Sequence, residues 1–582
     1  MSRHRVGGAP RRREPSLPPW LRSGFAPPLA VFAVAVVPFL RTLSFEHTYD
    51  DHAHVVRNTF LHEPSNVWAL LSSRYLELDV PDRGRPLLLL SHFLDRAVGG
   101  GAAWVGHLQS SLWHGVAALL VWLLGRKIGL GPGAALAAAV LFGVHPVCVE
   151  AVAGISNRED VLTTVFALLA LLAALAALAR HPAFALAASL AYLLALASKE
   201  MALAVPLLAL VLGCSSRARP PGWRRGAAGL ALGFTLVTAG FGWAQLRLGT
   251  PGLLRDAGSA PLQQARAAAS LAPLAALTAV SPLLPPPRSR QVHPLRVVHA
   301  PAVAGLRVVQ LVVGHPTRVE YELAPLASFW AVALGGALLL LLAGAARWLA
   351  PRYPPLGLTS AFALIATLPV SLPSLLINPV ADRFLYLPAV GASWTLALLF
   401  SRVLPGILRR PVADVGLPLL LLWTSSFLAL SARATGRWRD DVELFSHATL
   451  TAPRSARAHQ NLGAALMERG RGPEAEAALF AAVELDASLL SAHYNLGLLA
   501  ERSERVSLAI DRYGEALVRP TVRGELGLRE RTVERLGLLL LRTRRFRDLD
   551  ALIEREREVL PDSRVLDELA RRLAQTRPRS VP

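Results

Sequence analysis

"EAVAGISNREDVLTTVFALLALLAALAALAR", residues 150–180, sets the fold class. Its second part, 161–179, contains no charged residue, and about 20 apolar residues are enough to cross the hydrocarbon core of a bilayer. Its first part places Glu150, Arg158, Glu159 and Asp160 at the entrance to that run. Charges there are costly next to lipid unless they pair or bind something, so they mark a functional candidate. Comparable apolar runs recur near 25–43, 102–124, 133–155, 183–198, 201–214, 226–244, 266–285, 300–315, 328–346, 357–376, 384–401 and 413–431, giving thirteen expected crossings. With 53% of its 582 residues hydrophobic, the chain is excluded from the ordinary soluble class.

The formal net charge is +20, and its position decides what it means. From residue 432 onward 26 Arg face 23 Asp plus Glu, whereas the first 431 residues hold 35 Lys plus Arg against 18 acids. The excess belongs to the membrane part, where basic cytoplasmic loops are the usual orientation signal. The C-terminal part lacks the basic footprint that nucleic-acid binding requires. With the Arg-rich tail 1–24 in the cytoplasm, the basic loops 125–130, 215–226, 285–291, 347–352 and 401–411 fall on the same side. The first helix reads as uncleaved, because no A-x-A-like site follows the apolar run. One link in this topology is open: 183–214 reads as two short crossings separated by "SKE" (198–200), or as one, which would invert everything after it. Lys127 and Lys199 are the only lysines, an arginine bias that points to a GC-rich bacterial genome and hence a bacterial inner membrane. Cys148 and Cys214 form no disulfide framework and lack metal-ligand spacing.

On this topology four ionic stretches share the non-cytoplasmic face: "YDDHAHVVRN" (49–58) in a first loop at 44–101, "EAVAGISNRED" (150–160), "SKE", and "NPVADRFLYLP" (378–388). Asp50 and Asp51 are adjacent carboxylates that repel each other, so one of them can hold a raised pKa suited to proton abstraction. The same pair fits an N-cap of a short interfacial helix. His145, before Pro146, fits a kink in its span as well as a site residue. Lys199-Glu200 reads either as a neutralised helix-end pair or as a phosphate ligand with its partner. Arg383, beside Asp382, reads as a snorkelling interface arginine or as a guanidinium fork for phosphate oxygens.

From 455 the sequence is charged, helical and repetitive. His459 aligns with His493, Asn461 with Asn495, Leu462 with Leu496, Gly463 with Gly497, Ala475 with Ala509 and Ala482 with Ala516, all 34 residues apart. That is the period and small-residue pattern of tetratricopeptide helix pairs. Repeats are expected near 455–488, 489–522 and 529–562, the third with Leu536 and Gly537 in the same role, within a C-terminal domain at 432–582 that follows a membrane domain at 25–431. The expected fold is therefore all-α: a polytopic membrane domain and a tetratricopeptide α-solenoid lying outside the cytoplasm.

Taken in order, "YDD....V..N", "GRPLLLLS" (84–91), "HLQSSLWH" (107–114), "FGVHPVCVEAVAGISNRED" (142–160), "SKE", "ADRFLYLP" (381–388) and the repeat array resemble the transmembrane and tetratricopeptide-repeat O-mannosyltransferases and their bacterial relatives, within the C-type glycosyltransferases. The resemblance implies transfer of mannose, with inversion, from a polyprenyl-phosphate carrier to Ser or Thr hydroxyls of proteins outside the cytoplasm. It implies Asp50 or Asp51 as the carboxylate at the acceptor and Arg158, Lys199 and Arg383 as ligands of the lipid phosphate. His145, Glu150, Glu159, Asp160, Glu200, Asp382 and Tyr386 lie in matching motifs without an assigned role. The chain departs from the pattern at Ser110, where an asparagine is usual, and in "GHPTRVEYELAP" (314–325). The expected partners are the lipid-linked sugar, an exported protein or peptide that the repeats hold, and membrane lipids. No cofactor is expected beyond the sugar donor as co-substrate, and a divalent metal at Asp50, Asp51 and His52 stays open. A ligase or polymerase of lipid-linked glycans would share the donor chemistry. A repeat-bearing membrane scaffold would not need four ionic loops on one face, and a transporter would carry its polar breaks nearer the bilayer centre.

Overall fold

A computed structural model describes residues 26–72, 75, 80–215, 220–248, 300–315, 317–318, 329–349, 351–370, 380–518 and 525–576. Among these residues there is no strand; every regular element is helical. The chain forms two compact units, Met1–Thr317 with Ala333–Thr435, and Arg318–Val332 with Gly436–Pro582. The boundary lies slightly later than the sequence suggests. The helix ending the first unit runs on to Gly436, and Arg318 joins the second by donating to the Thr451 carbonyl at 3.2 Å.

The helices of the first part are α1 (Ala26–Ser44), α2 (Pro86–Gly99), α3 (Ala103–Lys127), α4 (Pro132–Gly143), α5 (Pro146–Ala153), α6 (Ile155–Ala179), α7 (Phe184–Ser198), α8 (Glu200–Ser215), α9 (Trp223–Gln245), α10 (Ala302–Val313), α11 (Trp330–Leu349), α12 (Pro354–Thr367), α13 (Asp382–Leu408) and α14 (Gly416–Gly436). Seven of them, α1, α3, α6, α9, α11, α13 and α14, are long and apolar enough to cross a membrane, and α4 with α5 makes an eighth if that pair, bent by 49°, is one span. This is the build of a multi-pass membrane protein. The helices α7, α8, α10 and α12 are apolar but shorter. The expected crossing at 266–285 and the basic tail at 1–24 lie outside the described residues.

Polarity within these helices separates core from periphery. Spans α6 and α13 are mostly buried, whereas α9, α11 and α14 turn most of their apolar surface outward, as lipid-facing helices do. Small residues let the central helices approach closely: a Cβ on Gly125 of α3 would come within 2.9 Å of the Trp394 indole nitrogen. That indole donates to the Val121 carbonyl at 3.1 Å, so no buried polar atom is orphaned by the close approach. At the α4–α5 bend the helical ladder breaks, and other groups take over the freed positions. Ser431 donates to the Val144 carbonyl at 2.7 Å, and His145 Nε2 donates to the Leu311 carbonyl at 3.0 Å.

The interruption at "SKE" is real. Lys199 has extended backbone (φ −165°, ψ 147°), which ends α7 before α8 begins. The run 183–214 is therefore two helices.

The second unit is built from α15 (Asp441–Thr451), α16 (Ala456–Glu468), α17 (Gly472–Leu485), α18 (Leu490–Arg502), α19 (Val506–Leu517), α20 (Leu526–Arg542), α21 (Phe546–Arg557) and α22 (Arg564–Thr576). Successive helices pack as α16 on α17 and α18 on α19. The two glycines at 34-residue spacing sit at those crossings: a Cβ on Gly463 would meet Leu479 at 2.5 Å, and one on Gly497 would meet Tyr513 at 2.5 Å. Gly537 differs, because it faces Leu569 of the last helix. The third pair closes the unit, so its small residue accommodates the terminal helix. A buried Arg529–Glu556 ion pair, 2.6 Å from Nε to Oε2, ties α20 to α21.

Candidate active site

All four ionic stretches belong to the first unit, and side chains from each enter one network. Its centre is the start of α6. Glu159 and Asp160 lie in the first turn of its α-helical part, Arg158–Ala179, where carboxylates are favoured by the orphan N–H groups and the helix dipole. Lys199 closes on both, at 2.8 Å from Glu159 Oε1 and 2.7 Å from Asp160 Oδ2. Arg85, which precedes α2, also reaches Glu159, and it extends toward Asp82 Oδ1 at 3.4 Å and Glu200 Oε1 at 3.6 Å. Arg383, at the head of α13, is held twice by Glu150: its backbone N–H donates to Oε2 at 3.1 Å, and its guanidinium bonds Oε1. Phe384 lies between the two cationic centres, its ring centroid 5.0 Å from Lys199 Nζ and 5.3 Å from the Arg383 guanidinium carbon.

The two aspartates of "YDD" part company. Tyr49 turns the backbone through a left-handed conformation (φ 54°), a region in which a non-glycine residue is uncommon. Just after it, Asp51 is fully buried. Its Oδ1 accepts the Ser156 N–H at 2.7 Å and its Oδ2 the Thr48 N–H at 3.2 Å. Asp51 thus pins the first loop to the turn before α6, and its side chain does not cap the short helical turn His52–Val56 that follows. Asp50 is only partly buried, and no hydrogen bond engages its carboxylate among the described residues. It lies within the fields of Arg383 and His54. Burial pushes the Asp50 carboxyl above the ordinary carboxylate range, and Arg383 and His54 act against that rise. His54 bonds Asp82 through Nδ1, and that bond raises its pKa despite partial burial.

We expect Asp51→Asn to destabilise the chain by about 1–3 kcal/mol, since an amide can accept from only one side and would turn a donor toward a buried N–H. Thermal unfolding in detergent measures this, and an unchanged midpoint would contradict the pinning role.

Other expected site residues have different positions. Arg158 is fully buried. It spends its donors on Ser110 at 3.0 Å, Ser91 at 3.0 Å, the Gly106 carbonyl at 2.8 Å, Gln109 and, at 2.7 Å, Asp95. Ser110, the departure from the family motif, is one of these anchors. His145 accepts the Val147 N–H on Nδ1 at 3.3 Å and packs on Phe427, which makes it the hinge piece of the α4–α5 bend. Tyr386 bonds His114 at 2.6 Å within the helix core. Asp382 accepts from Gln310 at 2.7 Å. Sequence reasoning passed over Arg85, Asp82 and Phe384 and gave no role to His54 of "YDDHAHVVRN"; Arg85 was visible as the basic residue of "GRPLLLLS", directly before a helix-starting proline.

Six carboxylates (Asp50, Asp82, Glu150, Glu159, Asp160, Glu200) accompany three permanent cations (Arg85, Lys199, Arg383) in this network. An anion is therefore not attracted by net charge. It must meet particular donors, and exposure separates them: the side chains of Arg85 and Arg383 are 28% and 17% exposed, that of Lys199 2%.

No protein-family model matches the chain. It is similar to the Protein O-mannosyl-transferase F38B6.6 of Caenorhabditis elegans, 23% identical over 474 residues, which cover 79% of this chain and 63% of the relative. Shorter matches include Protein O-mannosyl-transferase Tmtc2 of Drosophila melanogaster, 35% identical over 143 residues (24% of this chain, 15% of the relative). Another is Protein O-mannosyl-transferase TMTC4 of Homo sapiens, 33% identical over 172 residues (26% and 23%). The chain spans less than two thirds of the length of each of these relatives.

Proposed function

We propose that this chain is a membrane glycosyltransferase that moves a sugar, mannose by analogy with its relatives, from a polyprenyl-phosphate carrier to Ser or Thr hydroxyls of exported proteins, with inversion. The observation that carries the reading is Asp50: a carboxylate with no hydrogen bond among the described residues, its pKa raised, in the field of an arginine more than three hundred residues later. A lipid-phosphate sugar is already activated, so the protein has three tasks: to take the acceptor proton, to favour an oxocarbenium-like centre, and to hold the departing phosphate. In the proposed step the acceptor oxygen bonds the anomeric carbon and its proton passes to Asp50. The bond from that carbon to the phosphate oxygen breaks, and its electrons leave with the phosphate. Arg383 and Arg85 receive that charge, because they are the cations with exposed donors. Fixed cations in a water-poor setting are the most effective form of such stabilisation. Lys199, clasped by two acids, sets the position of α6. Arg158 sets the packing of α2 and α3 behind it.

The helix pairs of the second unit are read as a tetratricopeptide array that holds the acceptor outside the cytoplasm of a bacterial cell. The step as written uses no cofactor, and it runs in the presence of a metal chelator.

The test is direct. Purified chain is incubated with polyprenyl-phosphate mannose and a Ser/Thr-rich peptide, with and without EDTA, and the peptide is examined by mass spectrometry. One added hexose on a hydroxyl residue is expected in both. Donor consumption without peptide modification would move the acceptor to a glycan, and no consumption would remove the transferase reading.

A further inference from the structure

The membrane unit carries a cavity, about 520 Å³ in volume, lined by residues at the ends of α3, α6 and α8 and by Leu358 of α12. Its walls are apolar: Leu172, Leu175, Leu178 and Leu212. Its rim carries Lys127 and Arg180, both exposed and neither in an ion pair among the described residues. No carboxylate lines it.

The helices themselves locate it. Span α6 carries Asp160 of the Lys199 cluster near its start, and from there to Arg180 at the rim is about 20 residues, roughly 30 Å at 1.5 Å per residue. Likewise α3 begins beside the Arg158 anchors Gly106 and Gln109 and ends at Lys127. The cavity therefore opens at the membrane surface opposite the ionic site, on the side of the basic loops.

Lipid tails alone would fill an apolar groove between helices. Two unpaired cations at its mouth, with no acid to neutralise them, add a preference for a negatively charged headgroup, and basic pockets between transmembrane helices on this side are suited to such lipids. We propose that the groove binds an anionic phospholipid of the adjoining leaflet, with an acyl chain along Leu172, Leu175 and Leu178 and its phosphate between Lys127 and Arg180. The proposal does not depend on the transferase reading, since no residue of the ionic site contributes to it.

Native mass spectrometry of the full chain in detergent, with phosphatidylglycerol or phosphatidylcholine added, tests it. The unaltered chain is expected to retain phosphatidylglycerol at least roughly tenfold better. The double variant Lys127→Gln, Arg180→Gln is expected to lose that preference, and the charge-preserving pair Lys127→Arg, Arg180→Lys to keep it. Equal retention of both lipids by the unaltered chain, or an undiminished preference in the glutamine variant, would overturn the proposal. Displacement of bound phosphatidylglycerol by an uncharged polyprenol would do so as well, because the groove would then accommodate the tail of an isoprenoid carrier.

Discussion

Arg383→Gln is expected to weaken binding of a polyprenyl-phosphate sugar by roughly ten- to a hundredfold, the loss of one charge-assisted hydrogen bond worth about 1.5–3 kcal/mol. The guanidinium has five donors. Glu150 engages one guanidinium nitrogen, Nη1, and the backbone N–H of the same residue, which leaves the rest of the fork for a phosphate. Removing the arginine alone also leaves Glu150 buried without its partner, and such a carboxylate destabilises the fold for reasons unrelated to the donor. The companion variant Glu150→Gln, Arg383→Gln separates the two effects: it relieves the stranded charge, so thermal stability should recover while donor affinity stays low. Binding measured in detergent with labelled donor decides the matter. If both variants bind as the unaltered chain does, Arg383 is a structural cation.

The second large effect falls on turnover. Asp50→Asn should reduce the rate of sugar transfer at least about a hundredfold, the scale for losing a positioned general base. The thermal midpoint should barely move, because no hydrogen bond engages that carboxylate among the described residues. Asp51→Asn should show the opposite balance, with instability first and lost activity as its consequence. Two adjacent residues of identical chemistry thus serve as each other's control. The pH profile adds a readout that a packing role would not produce. A base must be ionised, so the rate should climb as pH rises through the Asp50 pKa, which burial places above the usual carboxylate range. Arg383 acts to lower that pKa, so its loss should move the limb to higher pH. A flat profile, or near-normal turnover in Asp50→Asn, would remove the proposed base.

The helical architecture was legible because lipid imposes a simple rule on composition: the apolar run at 161–179 emerges inside α6, and "SKE" emerges as the end of α7. The sequence expected Asp50, Glu150, Lys199 and Arg383 on one face by counting thirteen crossings between basic loops. The structure brings these residues together, but among the described residues only seven helices, or eight with the bent pair, are long and apolar enough to cross. Pairings were not legible. Glu150 and Arg383 lie 233 residues apart, and nothing local to either predicts the other. Arg158 was expected among the phosphate ligands only because the family resemblance implied it, and its own neighbourhood in the sequence shows none of its partners. Only the packing of α2 and α3 supplies the five acceptors that occupy it. Asp50 and Asp51 could not be told apart in one dimension, since their divergence follows from the left-handed turn at Tyr49.

The clasp of Glu159 and Asp160 on Lys199 has a consequence for how the protein is made. Lys199 and Glu200 are the only charges in the otherwise apolar stretch 183–214, and charges of this kind are costly inside a bilayer, so removing the lysine is expected to blur the boundary between two entering segments. A Lys199→Leu protein can therefore fail by being threaded the wrong way round from α8 onward. Its inactivity would say nothing about sugar chemistry until an accessibility tag in the 401–411 loop had shown which compartment that loop occupies.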